Sequence, residues 1–250
     1  MAHEFRTRLL GGDLLIGTMV TLNAPEVAEL LTAVGCDWLF LDAEHGVFDA
    51  RALQAMLQAA GNGMPCLVRV ATAAEVPIKQ ALDVGAAGII VPQVNSAAQA
   101  EQVVHWAKYA PVGSRGVGVA RAHGYGWSLG DYIARANHDT AVIVQAEHID
   151  AVQEIEAIVR VPGVDAVLVG PYDLSGSLGL LGQVDHPRVR EAIAHVTEVC
   201  QAAGMRLGYF GVSADAVKPY IARGYTLIVA GVDTLLLAQA MSGLLAQLKQ

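Results

Sequence analysis

The stretch EVPIKQALDVGAAGIIVP, residues 75–92, contains one complete turn from a helix into a buried strand. Residues 75–83 have an amphipathic helical pattern, and GIIVP at 88–92 is a short, continuous apolar run. Between them, VGAAG at 84–88 places Gly85 where a helix ends in the left-handed conformation. An apolar run without polar alternation is typical of a parallel strand that is buried on both faces. The stretch therefore predicts one helix-to-strand unit of a parallel α/β fold.

The same unit recurs from one end of the chain to the other. Strand candidates lie at 14–20, 38–43, 66–70, 88–92, 141–147, 166–170, 206–210 and 226–230. Helix candidates lie near 25–34, 50–60, 75–83, 96–108, 149–159, 187–203, 213–222 and 234–248. Eight such pairs without a change in composition predict an α/β fold, a single-domain (β/α)8 TIM barrel over residues 1–250. A doubly wound sheet is the alternative, but no glycine-rich fingerprint follows the first strand.

The composition limits the partners that the chain can bind. Of 250 residues, 54% are hydrophobic and 16% are charged, and the formal net charge is −8. An acidic chain lacks the basic surface that nucleic acid or an anionic membrane needs, so we expect neither as a partner. No apolar run approaches the ~20 residues of a membrane span. The three cysteines have no CxxC spacing and predict reduced thiols in a cytoplasmic protein.

Residues 111–139 interrupt the alternation of strands and helices. The segment PVGSRGVGVARAHGYGWSLGDYIARANHD contains six glycines and separates the fourth helix candidate from the fifth strand candidate. A long loop inside a compact domain is usually functional or contacts another subunit. We therefore expect a glycine-rich loop insertion at about 111–139.

Charged side chains gather at the carboxyl ends of the predicted strands, where active sites of such barrels lie. These residues are Asp42, Glu44, His45, Arg69, Glu147 and Asp173. Glu147 and Asp173 come from adjacent strands, and two carboxylates with open positions suit a hard cation such as Mg²⁺ or Mn²⁺. The structural alternatives are a salt bridge for Glu147 and a helix cap for Asp173. At the catalytic face, the pair together favours a metal site.

Arg69 and His45 extend this candidate site. Arg69 interrupts the apolar strand LVRV, so it pairs with a barrel carboxylate, binds an anionic substrate, or does both. His45 follows Asp42 by three residues, which suggests a dyad whose carboxylate orients the imidazole, although the spacing leaves open whether they touch. The four lysines lie on predicted helices or at the C-terminus, so none is placed for a Schiff base. A metal ion is then the expected electrophile for a carbonyl substrate.

Seven motifs resemble those of one family in their order and spacing. They are LDAEHG (41–46), CLVRV (66–70), ALDVGAAGIIVPQV (81–94), RGVGVARAHGYG (115–126), VIVQAEH (142–148), VPGVDAVLVGPYDLSGSLG (161–179) and GVSADAV (211–217). Over nearly its whole length the chain resembles the HpcH/HpaI aldolase family. Members of this family are class II pyruvate aldolases that act on 2-keto-3-deoxy and 4-hydroxy-2-oxo acids. The resemblance implies a divalent metal cofactor, Mg²⁺, Mn²⁺ or Co²⁺, and no organic cofactor.

The resemblance also implies roles for the charged residues. Glu147 and Asp173 would ligate the metal, which chelates pyruvate through its keto and carboxylate oxygens. Arg69 would stabilise the enolate oxygen. His45, oriented by Asp42, would perform acid–base chemistry at the C4 hydroxyl, together with a metal-bound water.

Further implications concern the pocket and the assembly. Backbone N–H groups around Gly170, Tyr172 and Asp173 would hold the pyruvate carboxylate. Asp83 would approach the histidine across a subunit boundary, although a solvated helix residue explains it as well. The family is usually a hexamer, a trimer of dimers with an exchanged C-terminal helix. The apolar tail at 234–248 would suit such an exchange, and an ordinary barrel-capping helix would explain it equally.

We therefore expect metal-dependent, reversible cleavage of a 4-hydroxy-2-oxo acid to pyruvate and an aldehyde through a metal-bound enolate. Oxaloacetate decarboxylation or lyase action on an acyl-CoA hydroxy acid would use the same chelate. A non-catalytic barrel that binds a small carboxylate is the alternative from another class. Compared with the family pattern, Ala146, His148 and Tyr172 are unusual, and they leave the preferred aldehyde open.

Overall fold

The structure is a computed structural model that describes residues 4–249, and it contains a closed barrel of eight parallel strands. The strands are β1 (Leu15–Val20), β2 (Trp38–Asp42), β3 (Cys66–Arg69), β4 (Gly88–Val91), β5 (Ala141–Ala146), β6 (Ala166–Val169), β7 (Arg206–Gly211) and β8 (Leu227–Val232). They are hydrogen-bonded in sequence order, and β8 closes the ring on β1. The predicted single-domain (β/α)8 barrel is confirmed.

One helix precedes the first strand, one follows the last, and the others connect the strands around the outside of the barrel. They are α1 (Phe5–Gly11), α2 (Pro25–Ala33), α3 (Ala50–Ala60), α4 (Glu75–Asp83), α5 (Ala97–Ala107), α6 (Leu129–Asp139), α7 (Ile149–Gln153), α8 (Ile155–Ile158), α9 (Pro171–Ser177), α10 (Pro187–Ala202), α11 (Ala214–Ile221) and α12 (Asp233–Leu248). A short 3₁₀ segment spans Arg121–Gly126. Each predicted helix has a counterpart, but the one expected at 149–159 is divided into α7 and α8.

Alternate residues along each strand belong to two different cores. In β2, Leu39 and Leu41 pack outward against the helices, whereas Trp38 and Phe40 fill the inside of the barrel. Because side chains alternate across a strand, Asp42 continues the inward-facing series. The polar residues at the strand ends therefore enter the barrel mouth on top of a closed apolar interior.

A glycine lies in five of the turns that lead from a helix back into a strand, as the sequence predicts. Gly85, which follows α4, has a φ of 101°. The equivalent glycines also have positive φ values between 70° and 99°, and they are Gly35, Gly163, Gly204 and Gly224. An L side chain is strained in this conformation, which glycine adopts freely. These turns return each chain segment to the amino end of the next strand.

The segment at 111–139 lies between α5 and β5, but it is not a loop throughout. Residues 129–139, expected to lie in the loop insertion, form the three-turn helix α6. In α6, Tyr132 and Ala136 recur at helical spacing, and Ala136 is buried. The glycines of the segment are concentrated before residue 131, so a loop was correct only for its first part.

Two further expectations can be compared with residues 4–249. Within this range, the helices are all too short or too polar to cross a membrane. Cys36, Cys66 and Cys200 are free thiols, as the sequence predicts. Burial raises the pKa of the Cys66 thiol to about 12.

Candidate active site

Arg69 is held at the barrel mouth by a two-point contact with Asp42. The strand register pairs Asp42 of β2 directly with Arg69 of β3, which places both side chains on the inner face. Arg69 Nε and Nη2 each donate to one Asp42 carboxylate oxygen at 2.8 Å. Glu44 Oε2 lies 3.2 Å from Arg69 Nε, and the Phe40 ring centroid lies 5.2 Å from its guanidinium carbon. Of the two partners that the sequence left open, a barrel carboxylate is therefore present.

The acidic neighbours keep this buried arginine charged. Burial by itself disfavours the charged form, but the hydrogen bond and the charge of Asp42 and the charge of Glu44 outweigh it. The pKa of Arg69 is consequently raised above its usual value. Burial also raises the pKa of the Glu44 carboxyl, and Arg69 opposes that change. The guanidinium is thus a preorganised cation with one edge committed to Asp42.

His45 is near Asp42, but its imidazole does not contact the Asp42 carboxylate. Asp42 Oδ1 accepts the backbone N–H of Glu44 at 3.2 Å and that of His45 at 3.3 Å. The His45 Nε2 atom lies 3.8 Å from Glu44 Oε2, and the His45 side chain is 70% exposed. The direct contact that the spacing left open is therefore absent among residues 4–249, and orientation of the ring by Asp42 stays a prediction. Because Asp42 already binds Arg69, it acts on His45 only through the backbone of the turn.

Glu147 is a buried carboxylate that two neutral donors hold in place. It is only 2% exposed. Its Oε1 atom accepts the backbone N–H of Gln93 at 2.8 Å, and its Oε2 atom accepts Nε2 of Gln145 at 2.6 Å. Burial raises the pKa of Glu147 to about 7, and the negative charges of Glu44 and Asp173 raise it as well. The Gln93 N–H and the Arg69 charge act in the opposite direction.

Asp173 approaches the same space from the next strand connection. It is the third residue of α9, which begins immediately after β6 and Gly170. An added Cβ at Gly170 would lie 2.9 Å from both Cβ and Oε2 of Glu147. Because glycine has no side chain there, the Glu147 carboxylate can lie against the start of α9. Glu147 therefore lies beside the helix start that carries Asp173, close enough for the Asp173 charge to raise its pKa.

These two carboxylates have the chemistry that a divalent cation requires. Glu147 is surrounded by like charge from Glu44 and Asp173, which a bound cation would stabilise. Each carboxylate oxygen has a second lone pair, so the hydrogen bonds to Gln93 and Gln145 leave room for coordination. Among residues 4–249, no group of three or more His, Cys, Asp or Glu side chains is arranged to hold a metal ion. Two oxygen ligands suit Mg²⁺ or Mn²⁺, which keep water and substrate oxygens in their other positions.

The start of α9 also presents backbone donors. Tyr172 and Asp173 occupy the second and third helical positions, whose N–H groups have no acceptor within a helix. The Gly170 N–H differs, because it donates to the Ala146 carbonyl oxygen at 3.2 Å. Of the three predicted backbone positions, Gly170 thus contributes through its missing side chain, and the other two retain N–H groups for a ligand.

Asp83 is far from this site within one chain. It ends α4, five residues before β4 begins, and so lies toward the amino ends of the strands. Its Oδ1 atom accepts Nη2 of Arg115 at 2.7 Å. The candidate site of a single chain is therefore formed without Asp83, and a role beside His45 would require a second copy.

A cavity of about 310 Å³ joins these elements at the barrel mouth. One part of its wall carries charged groups, which are Asp42, His45, Arg69 and Asp173. Another part is apolar and consists of Met19, Phe40, Leu168, Val169, Pro171 and Phe210. Tyr172, Gly170, Gln145 and Thr21 also line it. A small organic acid with one apolar portion would match both the size and the division of this wall.

Sequence reasoning missed Gln145, Gln93 and Thr21. Gln145 had a readable signal, because a polar side chain two residues before Glu147 in an apolar strand faces the same side of the sheet. Gln93 contributes a backbone N–H from a left-handed conformation with a φ of 54°, which no side-chain pattern indicates. Thr21 follows β1, and it joins the cavity wall because β8 pairs with β1 and closes the barrel.

Comparisons with known proteins identify relatives of this chain. The sequence model of the HpcH/HpaI aldolase/citrate lyase family matches residues 15–240. The 4-hydroxy-2-oxovalerate aldolase of Rhodococcus jostii (strain RHA1) is 38% identical over 99% of this chain and 96% of its own. The 2-keto-3-deoxy-L-rhamnonate aldolase of Salmonella gallinarum (strain 287/91 / NCTC 13346) is 35% identical over 100% of this chain and 94% of its own. These relatives are named aldolases, which are carbon–carbon lyases.

A solved structure matches the whole chain. It is an HpcH/HpaI aldolase/citrate lyase family protein from Burkholderia cenocepacia J2315, with a TM-score of 0.95 and 35% identity. The match covers 99% of this chain and 100% of that one. With the family pattern matched from the first strand into the last helix, the chain belongs to the HpcH/HpaI aldolase/citrate lyase family.

Proposed function

We propose that the chain catalyses the reversible aldol cleavage of a 4-hydroxy-2-oxo acid to pyruvate and an aldehyde. One observation carries the proposal, namely that Arg69, fixed by Asp42, shares a cavity with the start of α9 and with Asp173. The buried carboxylate of Glu147 lies close enough to Asp173 and Arg69 for their charges to shift its pKa. The Arg69 guanidinium is a preorganised positive charge beside a candidate metal site. Such an arrangement stabilises the negative charge that develops on the oxygen of an enolate. The relatives described above are named as aldolases of 2-oxo acids, which supports the same reaction class.

Glu147 and Asp173 would hold a divalent cation, Mg²⁺, Mn²⁺ or Co²⁺. When bound, the cation supplies Lewis-acid polarisation of the substrate keto oxygen. Gln93 and Gln145 hold Glu147 in its orientation through the N–H groups described above. No organic cofactor is part of the proposal.

The side chains of the site then divide the remaining work. Tyr172 and Asp173 N–H groups hold the substrate carboxylate, which orients C2 toward Arg69. A base removes the proton of the C4 hydroxyl, the C3–C4 bond breaks, and its electron pair moves toward the C2 oxygen. Arg69 stabilises the negative charge that develops on this oxygen. Protonation of C3 gives pyruvate, and C4 leaves as the aldehyde carbonyl.

His45 is the proposed group that moves the C4 hydroxyl proton. It lines the cavity, and among residues 4–249 the cavity wall includes no other histidine. Its ring lies against Glu44 rather than Asp42, so in one chain its orientation is loosely determined. As the resemblance implies, Asp83 from a second copy would complete this site at the exposed side of His45.

The first test is exchange of the pyruvate methyl protons in D₂O, followed by proton NMR. Purified protein is incubated with Mn²⁺, Mg²⁺ or Co²⁺, and the paramagnetic ions are removed before the spectrum is recorded. We expect exchange that EDTA abolishes and that Glu147→Ala or Asp173→Ala reduces by roughly a hundredfold or more. Asp215→Ala is the matched control, because its carboxylate is 96% exposed on α11. Folded protein that gives no exchange with any of the three ions would overturn the proposal and favour a non-catalytic carboxylate-binding barrel.

We also propose that the working form is a homo-oligomer in which α12 is exchanged between copies, as in a hexamer built as a trimer of dimers. Helix α12 packs mainly on β1 and β8 at its start, and its apolar side chains beyond that point are exposed. Examples are Leu237 at 66%, Met241 at 50% and Leu248 at 73%. A helix that is apolar around its circumference is normally buried, so another copy of the chain is its expected partner.

Three free thiols fit a reducing cytoplasmic location for this assembly.

A further inference from the structure

Asp233 joins the start of α12 to the segment that follows β1. Its side chain accepts four hydrogen bonds. Oδ2 accepts the backbone N–H groups of Thr21 at 3.0 Å and Leu22 at 2.9 Å. Oδ1 accepts the Thr21 hydroxyl and the Thr234 N–H, both at 2.8 Å. With Asp233 only 8% exposed, this carboxylate fixes both the backbone and the side chain of Thr21.

Thr21 lines the cavity on the side away from the carboxylate pair. In the closed ring, β1 lies four strands from β5 in either direction, so it is opposite the strand that leads to Glu147. Thr21 shares the cavity wall with the apolar side chains Met19 and Phe210. A keto acid held at Glu147 and Asp173 would therefore extend its far portion toward Thr21. In the proposed reaction, that portion becomes the aldehyde.

The bond to Asp233 determines what the Thr21 hydroxyl can recognise. A threonine hydroxyl has one hydrogen and two acceptor lone pairs. Since its hydrogen is directed to the Asp233 carboxylate, the oxygen remains only as an acceptor. A hydrogen-bond acceptor beside an apolar wall favours a ligand with a hydrogen-bond donor. An aldehyde can supply such a donor through a hydroxyl group.

We propose that Thr21, positioned by Asp233, is a specificity-determining residue that accepts a hydrogen bond from a hydroxyl group on the aldehyde portion of the substrate. The preferred aldehydes are then hydroxyaldehydes rather than simple alkanals. This inference rests on the proposed aldolase function and deepens it. A carboxylate that served only to cap α12 would stabilise the fold without discriminating between the two kinds of aldehyde.

The test compares lactaldehyde with propanal, which differ by one hydroxyl group, as partners for pyruvate in the direction of bond formation. Both lactaldehyde enantiomers are used, and the measured quantity is the ratio of kcat/KM for the better enantiomer to kcat/KM for propanal. We expect a ratio of about ten or more in the unsubstituted protein, because one net hydrogen bond is worth about tenfold. Thr21→Val should lower the ratio about tenfold, and Thr21→Ser should retain it. Thr32→Val is the matched control, because its hydroxyl bonds Ala28 on α2.

Asp233→Ala tests the positioning role separately. We expect it to lower the same ratio severalfold, and the double variant with Thr21→Val to lower it no further, since both changes remove one interaction. An equal loss of kcat/KM for both aldehydes in Asp233→Ala would show a structural role only and would overturn this part.

The failure of this proposal is distinguishable from the failure of the proposed function. Metal-dependent exchange of pyruvate protons by the unsubstituted protein tests the function itself. A protein that performs this exchange but uses propanal as well as lactaldehyde overturns the Thr21 subsite alone. So does a Thr21→Val variant that keeps the ratio of the unsubstituted protein.

Discussion

Arg69 illustrates how one residue can be structural and chemical at once. Its guanidinium satisfies the buried Asp42 carboxylate through two hydrogen bonds, and its charge also faces Glu147. We expect Arg69→Ala to lower aldol turnover by roughly two to three powers of ten, because a preorganised stabiliser of developing charge is lost. Steady-state kinetics with a 4-hydroxy-2-oxo acid gives this value. Near-normal turnover in the variant would remove Arg69 from the mechanism.

The same variant leaves Asp42 buried without its partner, so its stability has to be measured alongside. Breaking a buried pair costs roughly 3–5 kcal/mol when one charge remains uncompensated. Urea unfolding separates this loss from the loss of turnover, because kinetics are recorded at denaturant-free conditions where the variant is folded. Arg51→Ala is the control, since Arg51 is an exposed arginine at the start of α3.

Gly170 leaves space that the Glu147 side chain occupies, and filling this space leads to a second prediction. Its φ of −101° is open to any residue, so alanine causes no backbone strain there. The added Cβ would lie 2.9 Å from Glu147, which must then move. We expect Gly170→Ala to weaken Mn²⁺ binding by roughly tenfold, as displaced supporting contacts do. Isothermal titration calorimetry measures the affinity directly, without reference to activity.

Gly63→Ala is the matched control for this substitution. A Cβ at Gly63 would meet no atom within 4 Å, so Mn²⁺ affinity should be unchanged. Equal Mn²⁺ affinities of Gly170→Ala and the unsubstituted protein would show that metal binding does not require the present position of Glu147.

At the residue scale, the sequence identified the charged groups of the site. It could not predict that Glu44 rather than Asp42 lies beside the His45 ring, because this depends on side-chain geometry.

At the scale of elements, the segment between α5 and β5 is held by a buried polar cluster. His123 Nε2 and the Tyr109 hydroxyl are 2.8 Å apart, and the His123 ring contacts Tyr132 of α6. Arg115 bonds Asp83 of α4 and lies over the Tyr109 and Tyr132 rings. His123 Nδ1 has no partner among residues 4–249. The glycine-rich part is therefore fixed to both neighbouring helices.

This cluster predicts a loss of stability in acid. Burial lowers the pKa of His123 below its usual 6.5, Arg115 lowers it further, and Asp83 opposes the change. Burial raises the pKa of Tyr109, which also faces the ring, to about 12, so this hydroxyl stays neutral in the same range. Since the unfolded chain binds the proton more readily, the free energy of unfolding should fall as the pH drops below about 6.5. Urea midpoints at pH 7.5 and 5.5 measure this loss.

His123→Gln is the variant that identifies the source of the effect. A glutamine amide can still bond the Tyr109 hydroxyl, but it does not titrate. The variant should lose less stability than the unsubstituted protein between the two pH values. An equal loss in both proteins would assign the pH dependence to other groups. The sequence could not predict this cluster, because its members come from three separate parts of the chain.

At the scale of the whole molecule, α12 determines whether the single chain is complete. We expect the double variant Leu237→Glu with Leu244→Glu to dissociate the assembly, weakening association by roughly a hundredfold or more, because buried carboxylates without partners are costly. Both side chains are exposed in one chain, at 66% and 49%, so the fold of each subunit should be retained. Multi-angle light scattering at several protein concentrations gives the mass.

A second double variant controls for the added charge. Gln239→Glu with Gln247→Glu places the same charge on the same helix at polar positions. This control variant should form an assembly of the same mass as the unsubstituted protein.

The exchange of α12 would be contradicted if the unsubstituted protein were monomeric. It would also be contradicted if the Leu237/Leu244 variant formed an assembly of unchanged mass. Loss of His45-dependent activity on dissociation would in addition support a contribution from Asp83 of another copy.

The sequence by itself determined the barrel, the order of its strands and the edge at which chemistry would be found. Local rules suffice for this, because eight apolar runs, five of them entered through a glycine turn, close only with their carboxyl ends at one mouth. It also placed Glu147 and Asp173 on adjacent strands. Helix α6 was obscured because glycines dominate the first half of its segment.

Only the tertiary structure decided which groups meet across the mouth. The pairing of Asp42 with Arg69, of Glu44 with His45, and of Asp233 with Thr21 depends on strand register and side-chain rotamers. The last of these pairs joins residues 212 positions apart. This last contact arises from barrel closure, because β8 pairs with β1 and so brings together the two ends of the chain.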